Sequence, residues 1–347
     1  MKISVFFLIF LIPLGANAAT KKLKANIEDR TPPRAAPAPI VLTHDKPNFC
    51  IIGAQSGKSF GSEAAFESIV WKSDVVYIGE THDEPLDHLA QLEALKAMRI
   101  ARGSKIAVGF EMLDAAQQPN LDDYAAGRLT EEEFLAKADW KPGRGFDFSL
   151  YKPLFDFVVK NKLRALALNV PRAVIAKIAR GGLESLTAEE RKTLPEKLEI
   201  TKNKKYNEYL STSFGEHGSS STVKDFSFDN YAASMAAWNE GMGGRIAAFL
   251  AENPGYSVLV IAGNGHIIYN AAIPASVRSR LKGVRQASFY TENAVKCPET
   301  MPKEHKNMAN YIWYLNHAPR SAPTVTLSTS APAAIAPGTA PAAVSGR

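Results

Sequence analysis

Cysteine is nearly absent from this chain: Cys50 and Cys297 are the only two in 347 residues. Two thiols are too few for a thiolate zinc site. They leave two readings open, a bond tying the first strand to the segment after the last, or two buried free thiols. A Gly-x-Ser-x-Gly elbow is missing, so a serine nucleophile has no support. GAQSGKS at residues 53–59 lacks one of the four residues a phosphate-binding P-loop needs between its first glycine and Gly-Lys-Ser; it reads as a turn before a helix. Blocked charge is missing too. The formal charge of +6 is spread along the chain, and KLEITKNKK (197–205), the one basic cluster of note, reads as a solvated face. With no nucleic-acid motif, nucleic acid is not an expected partner.

Both ends look expendable. Lys2, the apolar run SVFFLIFLIPLG and the small residues ANAAT form a secretory signal, expected to be cleaved after Ala18 or Ala19. That run is too short to span a bilayer as a mature helix. No cysteine marks a lipid anchor at the cleavage point, so the expected location is periplasmic or secreted, in soluble form. Residues 20–40 are a basic, proline-rich lead-in. Residues 318–347 are an Ala/Pro/Ser/Thr tail that cannot bury enough apolar surface to offset chain entropy. One folded domain remains, residues 41–317.

Within it, apolar β-type runs alternate with helical patterns: NFCIIG (48–53), DVVYIG (74–79), KIAVGF (105–110), LRALAL (163–168), YSVLVIAG (256–263) and VRQASFY (284–290). Pro85 opens an amphipathic helix. Thr130 with Glu133, and Thr187 with Glu190, are capping-box signatures. The expected fold is α/β, a mainly parallel sheet with helices on both faces. Residues 113–151 and 172–255 are too long for simple crossovers and read as helical insertions.

The strand ends carry the chemistry. Glu80 and His82 follow the second run, Glu111 the third, Asn169 the fourth, Asn264 and His266 the fifth, and Thr291, Glu292 and Asn293 the sixth. In a parallel sheet these ends share one edge, where open α/β sheets bind ligands. Turn chemistry favours Asn, Gly and Asp and gives no reason for Glu or His there. Gly79-Glu80-Thr81-His82 and Gly263-Asn264-Gly265-His266 repeat one pattern, Gly-x-x-His closing a strand.

GETHDEPLDHLAQLEAL, GFEMLDAAQQ, ALNVPR and VLVIAGNGHIIYNAAIP together resemble the ChaN-type haem-binding uptake proteins. These share a superfamily with the erythromycin esterases, the TraB/PrgY proteins and the Tiki metalloproteases. The resemblance runs from about Ile51 to Leu281 and implies an EreA/ChaN-like domain with its paired turns near a pocket. It further implies haem or an iron compound as ligand, a tyrosine on iron, a homodimer enclosing the cofactors and an outer-membrane uptake system as partner. Carried over by motif, the matching positions are Glu80, His82, His88, Glu111, Arg172, His217 and His266. The long helix departs from the family's tendency, with Met235, Asn239 and Gly243 where Gln, Asp and Ala are usual.

Blander roles stand beside these. His88 has a second role open to it behind the pocket or at the surface, and His217 falls in a loose insertion where a solvated histidine is the default. Tyr206, Tyr209 and Tyr231 lie on the insertions, where tyrosinate could ligate haem iron or the rings could simply pack. Arg172 starts a helix, where the dipole disfavours a cation; pairing with Glu111 or holding a propionate would explain it. Asn169 reads as a helix cap. Two functions follow. One is haem or iron capture, with His82, His88, Arg172, His217, Tyr209, Tyr231 and His266 as cofactor-binding candidates. The other is hydrolysis, with Glu80, His82, Glu111 and His266 as catalytic groups, or with His82, Glu111 and His266 holding zinc or manganese.

Overall fold

The computed structural model describes residues 47–140, 146–196, 198–199, 201–218 and 227–316, without the side chains of 216–218. The leader, the lead-in and the Ala/Pro/Ser/Thr tail lie outside the described residues.

Seven strands form one sheet: β1 (Cys50–Gly53), β2 (Val75–Glu80), β3 (Ile106–Asp114), β4 (Arg164–Asn169), β5 (Ser257–Gly263), β6 (Gln286–Asn293) and β7 (Tyr311–Leu315). Their spatial order is β1-β7-β6-β2-β5-β3-β4. Strands β2 to β7 run parallel, and β1 alone pairs antiparallel, with β7. The five strands from β2 to β6, expected to run the same way, do so. β7 was not anticipated; its YIWYL run is short and sits beside the low-complexity tail. Glu111 and Thr291 also lie inside extended strands rather than after them. β2 and β5 are buried at every position, as parallel strands covered on both faces must be.

The helices are α1 (Glu63–Lys72), α2 (Pro85–Arg102), α3 (Gln118–Ala125), α4 (Glu131–Lys137), α5 (Phe148–Lys160), α6 (Arg172–Gly181), α7 (Ala188–Arg191), α8 (Lys204–Gly218), α9 (Phe228–Glu252) and α10 (Ile273–Arg280). Side chains alternate across each strand, so one face of the sheet differs from the other. Val76, Ile78, Val108, Phe110, Leu259 and Ile261 pack with α1, α2 and α5. Val75, Tyr77, Ala107, Val258, Val260 and Ala262 pack with α9 and α10. The chain between β3 and β4 supplies α3 to α5 on the first side, and the chain between β4 and β5 supplies α6 to α9 on the second.

Local signals hold where they were strongest. Pro85 occupies the start of α2, and Glu84 accepts from the Leu86 N–H at 3.2 Å. Both capping boxes form, at Thr130 and Thr187. The GAQSGKS segment turns back on β1, with Ile52 bridging Ser59, and Ser62 caps α1 afterwards. The mid-helix glycines of α9 permit close approach: a Cβ on Gly241 would sit 2.4 Å from Val170 Cγ2. Among the described residues no helix is long and apolar enough to cross a membrane.

Cys50 and Cys297 are bonded, with Cα atoms 5.7 Å apart, which decides between the two readings left open. The bridge ties β1 to the segment beyond β6 across a separation of 247 residues. Restricting so long a loop in the unfolded chain is worth about 2–5 kcal/mol. A Cys50→Ser/Cys297→Ser variant is therefore expected to lose stability by about that amount in urea unfolding, and reductant is expected to destabilise the native protein but not the variant.

Candidate functional site

Glu80 ends β2 on the face that Val76 and Ile78 turn toward α2 and α5, and it is buried. A buried carboxylate without donors is costly, and this one has three. Its Oε1 lies 2.6 Å from His82 Nδ1 and also accepts from the Tyr151 hydroxyl of α5. Its Oε2 accepts from Gln91 Nε2 at 2.6 Å. His88 stands behind, with Nδ1 3.1 Å from Gln91 Oε1 and Nε2 3.1 Å from the His82 carbonyl oxygen. Burial pushes the Glu80 carboxyl up, but the His88 and His82 rings and the Tyr151 hydroxyl outweigh it and hold it below the usual carboxylate range. Burial likewise pushes His82 down, and the Glu80 bond and charge, with Glu111 adding, leave it raised above an ordinary imidazole.

Glu111 projects from β3 on the opposite face, in step with Ala107. Its Oε2 accepts from the Gly263 N–H at 2.7 Å and its Oε1 lies 3.3 Å from His266 Nε2. His266 Nδ1 donates to Asn239 Oδ1 of α9 at 2.7 Å, and Asn239 Nδ2 donates to the Tyr206 hydroxyl of α8 at 2.9 Å. Against burial, the His266 ring beside it, then His82 and the Gly263 amide, hold the Glu111 carboxyl down at about 2. The two Glu–His pairs thus sit on opposite faces of one sheet edge.

They meet at Gly263. A Cβ there would lie 3.1 Å from His82 Cε1, 3.2 Å from His82 Nε2 and 3.7 Å from Glu111 Oε2. The absent side chain is what lets the His82 ring cross the edge of β5 toward Glu111. Strand order makes the crossing short, because β5 lies between β2 and β3 with Glu80 opposite Gly263.

Glu80, His82, Glu111 and His266 are therefore brought together. His88 joins them from behind, with both ring nitrogens facing protein oxygens. Arg172 is exposed at the start of α6, whereas Glu111 is buried against His266, His82 and Gly263; the expected Arg172–Glu111 pairing is not the arrangement found. Asn169 does not cap α6. It donates to the Glu111 carbonyl oxygen at 2.9 Å and pins the ends of β3 and β4 together. Tyr231 is buried and Tyr209 half-buried, in an aromatic cluster with Tyr206 and Phe214. The side chain of His217 lies outside the described residues. As for zinc or manganese, no group of three or more His, Cys, Asp or Glu is arranged to hold a metal ion among the described residues. His82 and His266 turn Nδ1 to Glu80 and Asn239 instead.

Sequence reading missed Asp87, Gln91 and Tyr151. Asp87 is buried, accepts from the Thr81 N–H at 2.7 Å, and has its carboxyl pushed well up by burial. A signal for two of them was present: Asp87, His88 and Gln91 interrupt α2 with polar side chains one turn apart on a single flank. Tyr151 gave none, since it lies 71 residues from Glu80.

Two expectations follow. Glu111 has its folded pKa depressed from 4.5, so it contributes stability that is present above about pH 4.5 and lost as pH falls toward 2. His82 has its pKa raised from 6.5, so its contribution is full below 6.5 and lost as pH rises through the raised value. Urea unfolding should accordingly show a plateau between about pH 4.5 and 6.5 with losses on both sides. Glu111→Gln should flatten the acid limb and cost up to about 3 kcal/mol at pH 7. In the second expectation, Gly79→Ala places a Cβ 2.0 Å from Asn264 Oδ1 and 2.7 Å from Ile267 Cδ1. It should destabilise by about 1–3 kcal/mol or more, measured in the same way.

Comparison with known proteins bears on the family and the fold. No curated protein matches the chain by sequence. Its fold is similar to that of ChaN from Campylobacter jejuni, whose structure is described as cofacial haem binding: TM-score 0.59 at 16% identity, covering 77% of this chain and 96% of that one. An erythromycin esterase, EreC, in its open conformation is a more distant likeness, with TM-score 0.39 at 14% identity over 70% of this chain and 77% of that one. The family model for haem-binding uptake proteins of the Tiki superfamily, ChaN, matches residues 69–277, more than half of the chain and a span holding both Gly-x-x-His turns. The chain belongs to this ChaN family of haem-binding uptake proteins.

Proposed function

We propose that this chain is an exported haem-binding protein serving haem or iron uptake, in which two copies close over the cofactor and hand it on from, or to, an outer-membrane uptake system. Membership of the ChaN family carries the reading. The bonded Cys50–Cys297 pair supports a place outside the cytoplasm, because such bonds persist in oxidising compartments, and so does the signal-like start of the sequence.

The residues on the α8–α9 side fit such a ligand. Two hollows of about 520 and 400 Å³ flank α8 and α9 and share Ala232 as a wall. Such volumes are in the range of cofactor and small-molecule sites. Lys204 lines one beside Glu208 and Asp229, and Lys202 the other beside Glu199 and Glu240, so each hollow offers a propionate a single cation set among carboxylates. Tyr206 and Tyr231 are poor iron ligands as they stand, since burial pushes both phenols up and resists tyrosinate. Tyr209, half-buried on α8 against Tyr206 and in the lining of neither hollow, is the phenol that would hold the iron. When bound, haem supplies an iron centre whose axial ligand sets its reactivity. His82, His266 and the two glutamates brace the sheet edge beneath the insertion.

The Glu80–His82 and Glu111–His266 pairs favour a second reading, hydrolysis of an ester or peptide. His82, raised in pKa between two carboxylates, is suited to donating a proton rather than abstracting one.

Titration of the purified protein with haemin separates these readings. Capture predicts a Soret band that shifts and saturates, and a weakened, shifted complex in Tyr209→Phe with unchanged thermal stability. No saturable shift, together with ester or peptide hydrolysis abolished by His82→Gln, would replace capture by catalysis.

A further inference from the structure

A third hollow, of about 450 Å³, shares no residue with the site above. It forms where three segments meet: the turn after β1, Tyr269 and Asn270 beyond His266, and residues 307–311 leading into β7. These segments are bonded to one another. The Tyr269 N–H donates to the Met308 carbonyl, the Asn307 N–H to the Ala54 carbonyl at 3.0 Å, and the Ala54 N–H to the Asn310 carbonyl at 2.9 Å. Ser288 of β6 fixes two of the amides, donating from Oγ to Asn270 Oδ1 at 2.7 Å and from its N–H to Asn310 Oδ1 at 3.0 Å.

The backbone here is strained in one place above all others. Five non-glycine residues among those described take left-handed φ values, and three of them line this hollow: Tyr269 at 58°, Asn270 at 52° and Asn307 at 65°. Asparagine tolerates that region, but a tyrosine does so at a cost, and such strain is concentrated where a fold holds groups for a ligand. The groups held are amides and rings. With their oxygens on Ser288, Asn270 and Asn310 keep their Nδ2 donors unmatched by protein among the described residues, as do the whole amides of Gln55 and Asn307. Phe60, Tyr269 and Tyr311 supply aromatic surface, Phe60 meeting Tyr311 edge-on at 5.3 Å.

We propose that this hollow binds a neutral pyranose sugar. A carboxamide carries a donor and an acceptor in one plane, matching neighbouring sugar hydroxyls, and aromatic walls suit the C–H faces of the ring. No charged side chain lines the hollow among the described residues. The nearby lysines, Lys58 and Lys205, lie over the rings of Phe60 and Tyr269 at 5.9 and 5.7 Å. Both ammonium groups lie outside the lining, and the groups that meet a ligand inside are amides, a hydroxyl and rings, which match a neutral molecule.

Ligand-observed saturation-transfer NMR on the full chain, with millimolar methyl pyranosides of glucose, galactose, mannose and N-acetylglucosamine, tests this. Transfer to ring protons of at least one sugar is expected. The Gln55→Ala/Asn307→Gly variant removes two amides, and glycine at 307 accepts the left-handed backbone without strain. It should melt no lower than the native protein, bind the sugar roughly tenfold more weakly, and titrate with haemin as the native protein does. Absence of transfer from all four sugars, or unchanged affinity in the variant, overturns the proposal.

Discussion

Two carboxylates buried side by side at a sheet edge set the terms for the rest of this structure. Glu80 and Glu111 sit on β2 and β3, with only β5 between them, and each is nearly inaccessible to water. Left unpaired, either would cost several kcal/mol. Each is instead met by an imidazole from a Gly-x-x-His turn, and the turns must deliver those rings from opposite sides of the sheet. This requirement is consistent with the glycine at 263, where a Cβ would press on the His82 ring at 3.1 Å. It also accounts for the polar flank of α2, whose Gln91 and His88 complete the shell around Glu80.

Glu80 is held by three donors and Glu111 by the Gly263 amide and His266, while the neighbouring Asn264 Oδ1 is buried without a hydrogen-bond partner among the described residues. Hydrogen bonds in a low-dielectric setting are strong when satisfied and expensive when broken, so the cluster holds the loops at the strand ends in one arrangement. The insertions build on that cluster. Tyr151 descends from α5 to Glu80 on one face, and Tyr206 reaches through Asn239 to His266 on the other. Both insertions are thereby anchored to the sheet edge by a tyrosine hydroxyl. The surface they present includes half-buried Tyr209 and the hollows of α8 and α9.

The same logic explains Asn239. An amide offers His266 Nδ1 an acceptor without adding a third negative charge to a region that already holds two carboxylates. It also spans the distance to Tyr206, which a carboxylate could do only by accepting from the hydroxyl. The amide at 239 is thus compatible with an intact Glu111–His266 pair.

Much of this was written in the chain itself. Short, β-branched apolar runs closed by glycine, such as VVYIG and VLVIAG, read as strands covered on both faces, and their spacing by helical stretches points to a parallel sheet. Parallel strands put their carboxyl ends on one edge, so the convergence of Glu80, His82, Glu111 and His266 followed from order alone. Tertiary structure decided what order could not. It placed the two Glu–His pairs on opposite faces, because side-chain alternation fixes a face only once the register is known. It brought Tyr151, Tyr206 and Asn239 to the site from long insertions whose folding back no local pattern encodes. It kept the exposed Arg172 apart from the buried Glu111, and it joined Cys50 to Cys297, since whether two distant thiols meet depends on the path of the whole chain.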